Sequence, residues 1–383
     1  MAIRGKMVEI KKCESRKDFK RFVKFPAWLY RGNKCYVPPF EQDELDLTNP
    51  KKNACFEESE AIYFLAFKDG KLAGRIAGII SHAYNEKNKT QRARFSRFEC
   101  INDREVADAL LKAAEDWAKS KGMVDIHGPL GFNDLEREGL LVSGFDKEGC
   151  YLTSYNKDYY QGFIEANGYT PDAKWVEWRI PVPKKNSERA ERVAAAVEKR
   201  YGFYEKQFKT SGEIIDKYGA KFFELLDLCY KNIYGTIPFN KKLVNQTIKS
   251  FKLIIDKKYV SLIFNKEDEL IGFGVGFPSI ARALNRSKGR YLPFGVFRLL
   301  HAIKHPKVLE LGLIAVHPDY QKKGVTAIII RNMLNRMIEN NIVYCDTGCQ
   351  LENNTPAIES LDMFERELIR RKTCYIKTLS FSE

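Results

Sequence analysis

A chain of 383 residues exceeds what one ordinary hydrophobic core serves and predicts about two domains. With 44% hydrophobic and 13% aromatic residues it can bury such cores, which excludes a disordered chain. Its net charge of +14 favours an anionic partner: nucleic acid, anionic lipid, an acidic carrier protein or a phosphorylated cofactor.

The chain opens with a short strand at 7–13, a helix at 15–30 and a second helical stretch near 41–48. Lysines and arginines crowd these first residues, as on a solvated helix face. A hairpin follows, 61–67 and 72–84, turning at Asp69-Gly70, a pair suited to the positive φ of tight turns. A strand at 93–101 leads into a helix over 103–122, where Val106, Leu110, Ala113, Trp117 and Ala118 recur at helical spacing before Gly122. The first half ends with a short strand at 123–128, a long glycine-rich loop reaching 146, a helix near 158–167 and a strand at 175–182. A loop of that length is either structural or a lid over an acceptor cleft.

After a Pro-Lys linker at 181–189 the same order returns. A strand at 201–208, helices at 212–233 and near 240–255, and a hairpin, 259–264 and 270–277, come first. Then follow a strand at 308–316, a helix at 327–341, a strand at 342–346, a helix near 355–366 and a strand at 373–381. Written twice, this order predicts the α/β class: two mixed αβ domains in tandem, 1–183 and 184–383, each a central mixed sheet flanked by helices.

Between the strand at 308–316 and its following helix lies the turn Gln321-Lys322-Lys323-Gly324-Val325-Thr326. A helix start has unpaired N–H donors and the positive end of the macrodipole, and so suits a pyrophosphate. Lys322 and Lys323 add charge there, and Gly324 lets the backbone approach closely. Thr326 fits only if it already lies in the helix, because positive φ costs a β-branched residue on the order of 1–2 kcal/mol. The matching junction in the first half, 99–108, places Asn102 and Glu105 at capping-box spacing, with Asp103 between them. That helix is expected to satisfy its own N–H groups and to repel phosphate, leaving the first half as scaffold or acceptor-site wall.

The order of elements and the frame Gln321-x-x-Gly324-x-Thr326 resemble the GNAT acyltransferase superfamily, whose acyl-CoA loop reads Arg/Gln-x-x-Gly-x-Gly/Ala. "FPAWLY", "YVPPF", "GRIAGII", "FECIND", "GPLGF", "EGLLVSGFD", "YNKDYY" and "GRYLPFGVFRLL" resemble, more narrowly, an uncharacterised bacterial family of tandem GNAT-like proteins. The resemblance implies acetyl-CoA or another acyl-CoA as co-substrate, held by 321–326 with Ala315, Val316 and Asn354. It implies Glu310 as the base that deprotonates an amine. By strand alternation Glu310 shares a face with Gly312, Ile314 and Val316. Its first-half counterpart, Glu99, is expected to be structural. The tyrosine that such enzymes use to protonate the departing thiolate is replaced by Leu361 or Phe364 in the second half and by Ile164 in the first.

Nine scattered cysteines without a CxxC pair predict free thiols in a reducing cytoplasm. His301 and His305 lack a third ligand, and no metal is expected. The start of the chain lacks the apolar core of a signal peptide, and no segment reaches the roughly 20 apolar residues that span a bilayer. The basic, aromatic insertion 278–307 is expected to pack on its domain or to touch anionic lipid at the membrane periphery. The expected activity is N-acyl transfer to a small-molecule or lipid amine. Two alternatives stay open: transfer of a long-chain acyl or aminoacyl group from acyl-CoA, acyl carrier protein or tRNA, and a non-catalytic CoA-binding protein. The oligomeric state is left open.

Overall fold

A computed structural model describes residues 8–380. The first half runs β1 (Val8–Lys12), α1 (Arg16–Leu29), α2 (Glu41–Leu47), β2 (Ser59–Lys68) and β3 (Lys71–Ser81). It continues through α3 (His82–Asn88), β4 (Arg92–Cys100), α4 (Arg104–Ser120), β5 (Asp125–Gly128) and β6 (Leu140–Ser143), and ends with α5 (Tyr160–Ala166) and β7 (Thr170–Pro181). The second half runs α6 (Glu188–Tyr201), β8 (Tyr204–Glu205), α7 (Ser211–Tyr230), α8 (Lys241–Phe251), β9 (Val260–Phe264) and β10 (Leu270–Pro278). Next come α9 (Ala281–Ser287), α10 (Gly295–Lys304), β11 (Val308–Val316), α11 (Val325–Glu339), β12 (Tyr344–Thr347), β13 (Gln350–Leu351), α12 (Thr355–Glu359) and β14 (Glu367–Thr378).

All these strands belong to one sheet. Its path is β1-β2-β3-β4-β5-β14-β7-β12-β11-β10-β9-β8, with β6 beside β14 and β13 beside β7. In each half four antiparallel strands end on a parallel neighbour, β5 beside β4 and β12 beside β11. The closing strands are exchanged: β14 of the second half pairs with β5 of the first, and β7 of the first pairs with β12 of the second. The expected division at 183/184 falls between β7 and α6, and the path of the sheet crosses it three times.

The expected order of elements is present, but the strand expected at 72–84 ends at Ser81, where α3 begins, and three further differences follow. Residues 188–201, which lie between the expected linker (181–189) and strand (201–208) and overlap both ends, form α6. Ser187 caps it, Glu188 and Glu191 sit in its first turn, and Gly202 ends it with φ 70°. Only Ala194 on this helix is buried, so its apolar period is faint. The strand expected at 201–208 shrinks to the two residues of β8. Finally, α12 stops at Glu359 instead of reaching 366; the Ser360 hydroxyl donates to the Ala357 carbonyl and Arg366 to that of Ile358.

Each face of the second-half sheet carries one principal helix. On one side α7 covers Phe273, Val275 and Phe277 of β10; on the other, α11 covers β9 and β10 through Ile328, Ile329 and Met333. A Cβ added at Gly274 would lie 2.4 Å from Ile329 and 2.7 Å from the Met333 sulfur. That close approach requires glycine there. It brings the start of α11 down to the end of β11.

Candidate active site

The turn from β11 to α11 is shaped by local backbone chemistry. Pro318–Tyr320 forms a short 3-10 turn, and Lys322 and Gly324 then take positive φ, 62° and 85°. Gly324 is the N-cap of α11, and the helix begins at Val325. Thr326 therefore lies in the first helical turn, where φ is negative and threonine is tolerated. No side chain caps α11. Among the described residues, the N–H groups of Gly324, Val325 and Thr326 have no acceptor. Gln321, Lys322 and Lys323 are exposed around them. Lys323 lies over the Tyr320 ring at 4.8 Å, and the Gln321 side chain donates to the Val316 carbonyl at 3.4 Å. The result is an open, positively charged helix start.

Upstream, β11 separates from β12. Their parallel pairing ends at Leu311 and Thr347, and Gly348 returns one bond to the Leu311 carbonyl. The partner of Val275 on β10 is Leu313 and that of Gly276 is Leu311, so Gly312 is a bulge. The bulge shifts the alternation. Glu310, opposite Phe277, shares a face with Leu313 and Ala315, opposite Val275 and Phe273, instead of with Gly312, Ile314 and Val316. Past the bulge, the Ile314 carbonyl accepts from the Tyr230 hydroxyl (3.0 Å) and the Val316 carbonyl from the Cys229 thiol (3.3 Å). A strand residue directs its N–H and C=O to the same edge. The amides of Ile314 and Val316 thus face the gap, while the intervening Ala315 is buried and its amide faces β10.

Glu310 is 3% exposed. One carboxylate oxygen accepts from the amides of Tyr151 (2.9 Å) and Leu152 (3.2 Å) in the first half, and the other from the Ser279 hydroxyl (2.8 Å). Burial raises its pKa to about 6 against these hydrogen bonds, close to what a proton acceptor near neutrality needs. It thus joins the halves where β11 begins to separate from β12. Asn354 occupies the N-cap position of α12 without a side-chain cap bond. Leu361 and Phe364 lie beyond that helix and pack into the α11-side core.

The corresponding surfaces of the first half are closed. β4 carries its own bulge at Arg97, φ 49°. Beyond it, the Cys100 amide donates to the Tyr160 hydroxyl (2.8 Å), and its carbonyl accepts from Tyr159 (2.9 Å) and Tyr160 (3.0 Å). The two tyrosines that follow the long loop thus satisfy the edge that stays open in β11. At the start of α4 the cap is Asp103, accepting from the amides of Glu105 and Val106, and Asn102 plays no part. Lys68 bridges Asp103 and Glu105. Glu99 pairs with Arg75 at 3.2 Å, and burial raises its pKa to about 7.

Sequence reasoning missed the charged groups of the long loop. Arg97 links Glu44 (3.0 Å) to Glu136 (2.9 Å), and Arg94 holds the carbonyls of Gly131 and Gly235 at 3.0 and 2.9 Å. Arg94 thereby ties the loop to the turn after α7. On that side Asp134 and Glu138 each keep a buried oxygen without a partner. Burial raises Asp134 to about 6; burial and then Asp134 itself push Glu138 well up. The loop's other side walls a cavity of about 780 Å³ that includes Arg75, Arg97, Glu99, Arg137, Tyr151 and Tyr291. The sequence signal was the run "NDLERE" inside a glycine-bounded loop, too dense in charge for a plain connection. His127, Asp172 and Cys374 cluster nearby, but His127 and Asp172 are joined by the Tyr234 hydroxyl, at 2.7 and 2.5 Å.

Residues 220–363 match the acetyltransferase (GNAT) family. The second half thus carries a GNAT acetyltransferase domain. The GNAT fold of the chain is tandem: the chain superposes on a tandem GNAT protein from the clavulanic acid biosynthesis pathway with a TM-score of 0.59, at 12% identity, over 98% of this chain and all of that one. Among bacterial relatives, Protein YghO of Escherichia coli (strain K12) is 25% identical over 95% of this chain and 94% of its own length. A protein named bacterial ceramide synthase, from Caulobacter vibrioides, is 27% identical over 79% of each chain. No helix among the described residues is long and apolar enough to cross a membrane.

Proposed function

We propose that the protein is an N-acyltransferase that binds acyl-CoA at the second-half gap and acylates an amine entering from between the halves. The observation that carries this reading is the contrast between the halves. The start of α11 and the Ile314 and Val316 amides are open, whereas their first-half counterparts are filled by Asp103, Tyr159 and Tyr160. The pyrophosphate is assigned to 321–326 with Lys322 and Lys323, and the pantetheine arm to the Ile314–Val316 edge and Asn354. Acyl-CoA supplies a thioester; Glu310 takes a proton from the ammonium of the acceptor, freeing its nitrogen for attack. With no tyrosine at Leu361 or Phe364, CoA departs as a thiolate and receives, through water, the proton that the attacking nitrogen loses as the amide forms. The relative named ceramide synthase favours a long acyl chain and an amino-alcohol lipid as acceptor.

Calorimetry with acetyl-CoA, palmitoyl-CoA and free CoA tests the donor site. Binding of at least one is expected. Lys322→Glu with Lys323→Glu should weaken it at least roughly tenfold, since each reversal removes a charge-assisted contact. These side chains are exposed, so the fold is untouched. Gly324→Glu would be a poorer probe, because an added Cβ there lies 2.6 Å from Val197 of α6. Absence of binding to all three ligands overturns the proposal.

A further inference from the structure

Residues 278–307, inserted between β10 and β11, form a face with a composition of its own. They carry Arg282, Arg286, Lys288, Arg290, Arg298, Lys304 and Lys307, and no acidic residue. Arg282 pairs with Glu148 and Arg290 with Glu41. The other five make no salt bridge among the described residues. Four large apolar side chains stand in solvent among them: Leu292 (76% exposed), Phe294 (63%), Phe297 (71%) and Leu300 (51%). α10 is anchored from its opposite side by buried Leu299, so this outward face belongs to a docked helix and not to a frayed end.

The face adjoins the cavity. Tyr291, next to Leu292, stacks on Phe40 with ring centroids 4.4 Å apart, and both rings line the cavity. Leu253, 44% exposed at the end of α8, lines it too. We propose that Leu292, Phe294, Phe297 and Leu300 insert into an anionic lipid bilayer, held by the unpaired basic residues, so that the cavity rim at Tyr291 and Leu253 meets the membrane surface. The pairing of apolar side chains with a one-sign basic surround is what selects anionic bilayer over a neutral one or an ordinary protein partner. Passage of a lipid acceptor through that rim rests on the acyl-transfer reading; the docking itself does not.

The test is co-sedimentation of the full chain with phosphatidylglycerol–phosphatidylethanolamine vesicles and with phosphatidylcholine vesicles. Partitioning into the anionic vesicles should exceed that into the neutral ones at least tenfold and fall as salt is raised. Phe294→Ser with Phe297→Ser should reduce it at least tenfold without moving the unfolding midpoint or the affinity for acyl-CoA. No binding to anionic vesicles, or equal binding by wild type and variant, overturns the inference. So does light scattering that shows a dimer which the variant dissolves, because the face is then covered by a second copy. If vesicle binding holds while no acyl-CoA binds, the docking stands and the proposed reaction falls.

Discussion

Replacing Glu177 by glutamine is expected to destabilise the fold by about 3–5 kcal/mol, the largest effect of any single substitution considered. Glu177 sits on β7 and has no exposure. Its carboxylate meets Arg370 at 2.5 Å and Lys372 at 2.7 Å, both on β14 and at most 1% exposed. Burial alone would raise its pKa, but the two cations more than offset this and hold it below the ordinary glutamate range. β7 and β14 are the exchanged strands, so this cluster lies where each half completes the other's sheet. Glutamine keeps the volume and removes the charge, which leaves two buried cations facing each other. Urea unfolding measures the cost. Combining Glu177→Gln with Lys372→Met should recover much of it, because removing a partner cation relieves the uncompensated charge. A single variant within about 1 kcal/mol of wild type would show that the cluster is hydrated and contributes little.

That cluster also marks where sequence reading stops. The repeated order of elements was legible because each strand and helix carries its own period: the glycine-punctuated hairpins, the 3.6-residue pattern of α4, the apolar run of β11. The open helix start was legible too, since Lys322, Lys323, Gly324 and Thr326 are neighbours in the chain. Strand exchange was not. Glu177 and Arg370 are 193 residues apart, and no local period says which half a closing strand will join. The bulge at Gly312 was hidden for a related reason. Alternation alone put Glu310 on one face with Ile314, and only the register against β10 moves it. The caps at Asp103 and Ser187 were written in the sequence. One was assigned a residue early, and the other was masked because α6 buries little beyond Ala194.

Glu310→Gln is expected to lower kcat/KM at pH 8 by about 10²–10⁴, the range of a lost general base. The pH dependence makes the prediction specific. Burial holds the Glu310 carboxyl near 6, so the wild-type rate should rise about tenfold per unit below that pH and level off above it. The variant should lack this limb. Stability should move the other way. A carboxyl raised from an ordinary 4.5 to about 6 favours the fold in its protonated form. Its contribution is complete below pH 4.5 and disappears as pH rises through 6. The wild type should therefore lose about 2 kcal/mol relative to the variant between pH 4.5 and 7. Glutamine retains an oxygen for the Tyr151 and Leu152 amides, so the seam between the halves should survive. The two readouts separate catalysis from anchoring. A variant that changes stability in this way yet keeps the acidic limb of activity would confine Glu310 to joining the halves.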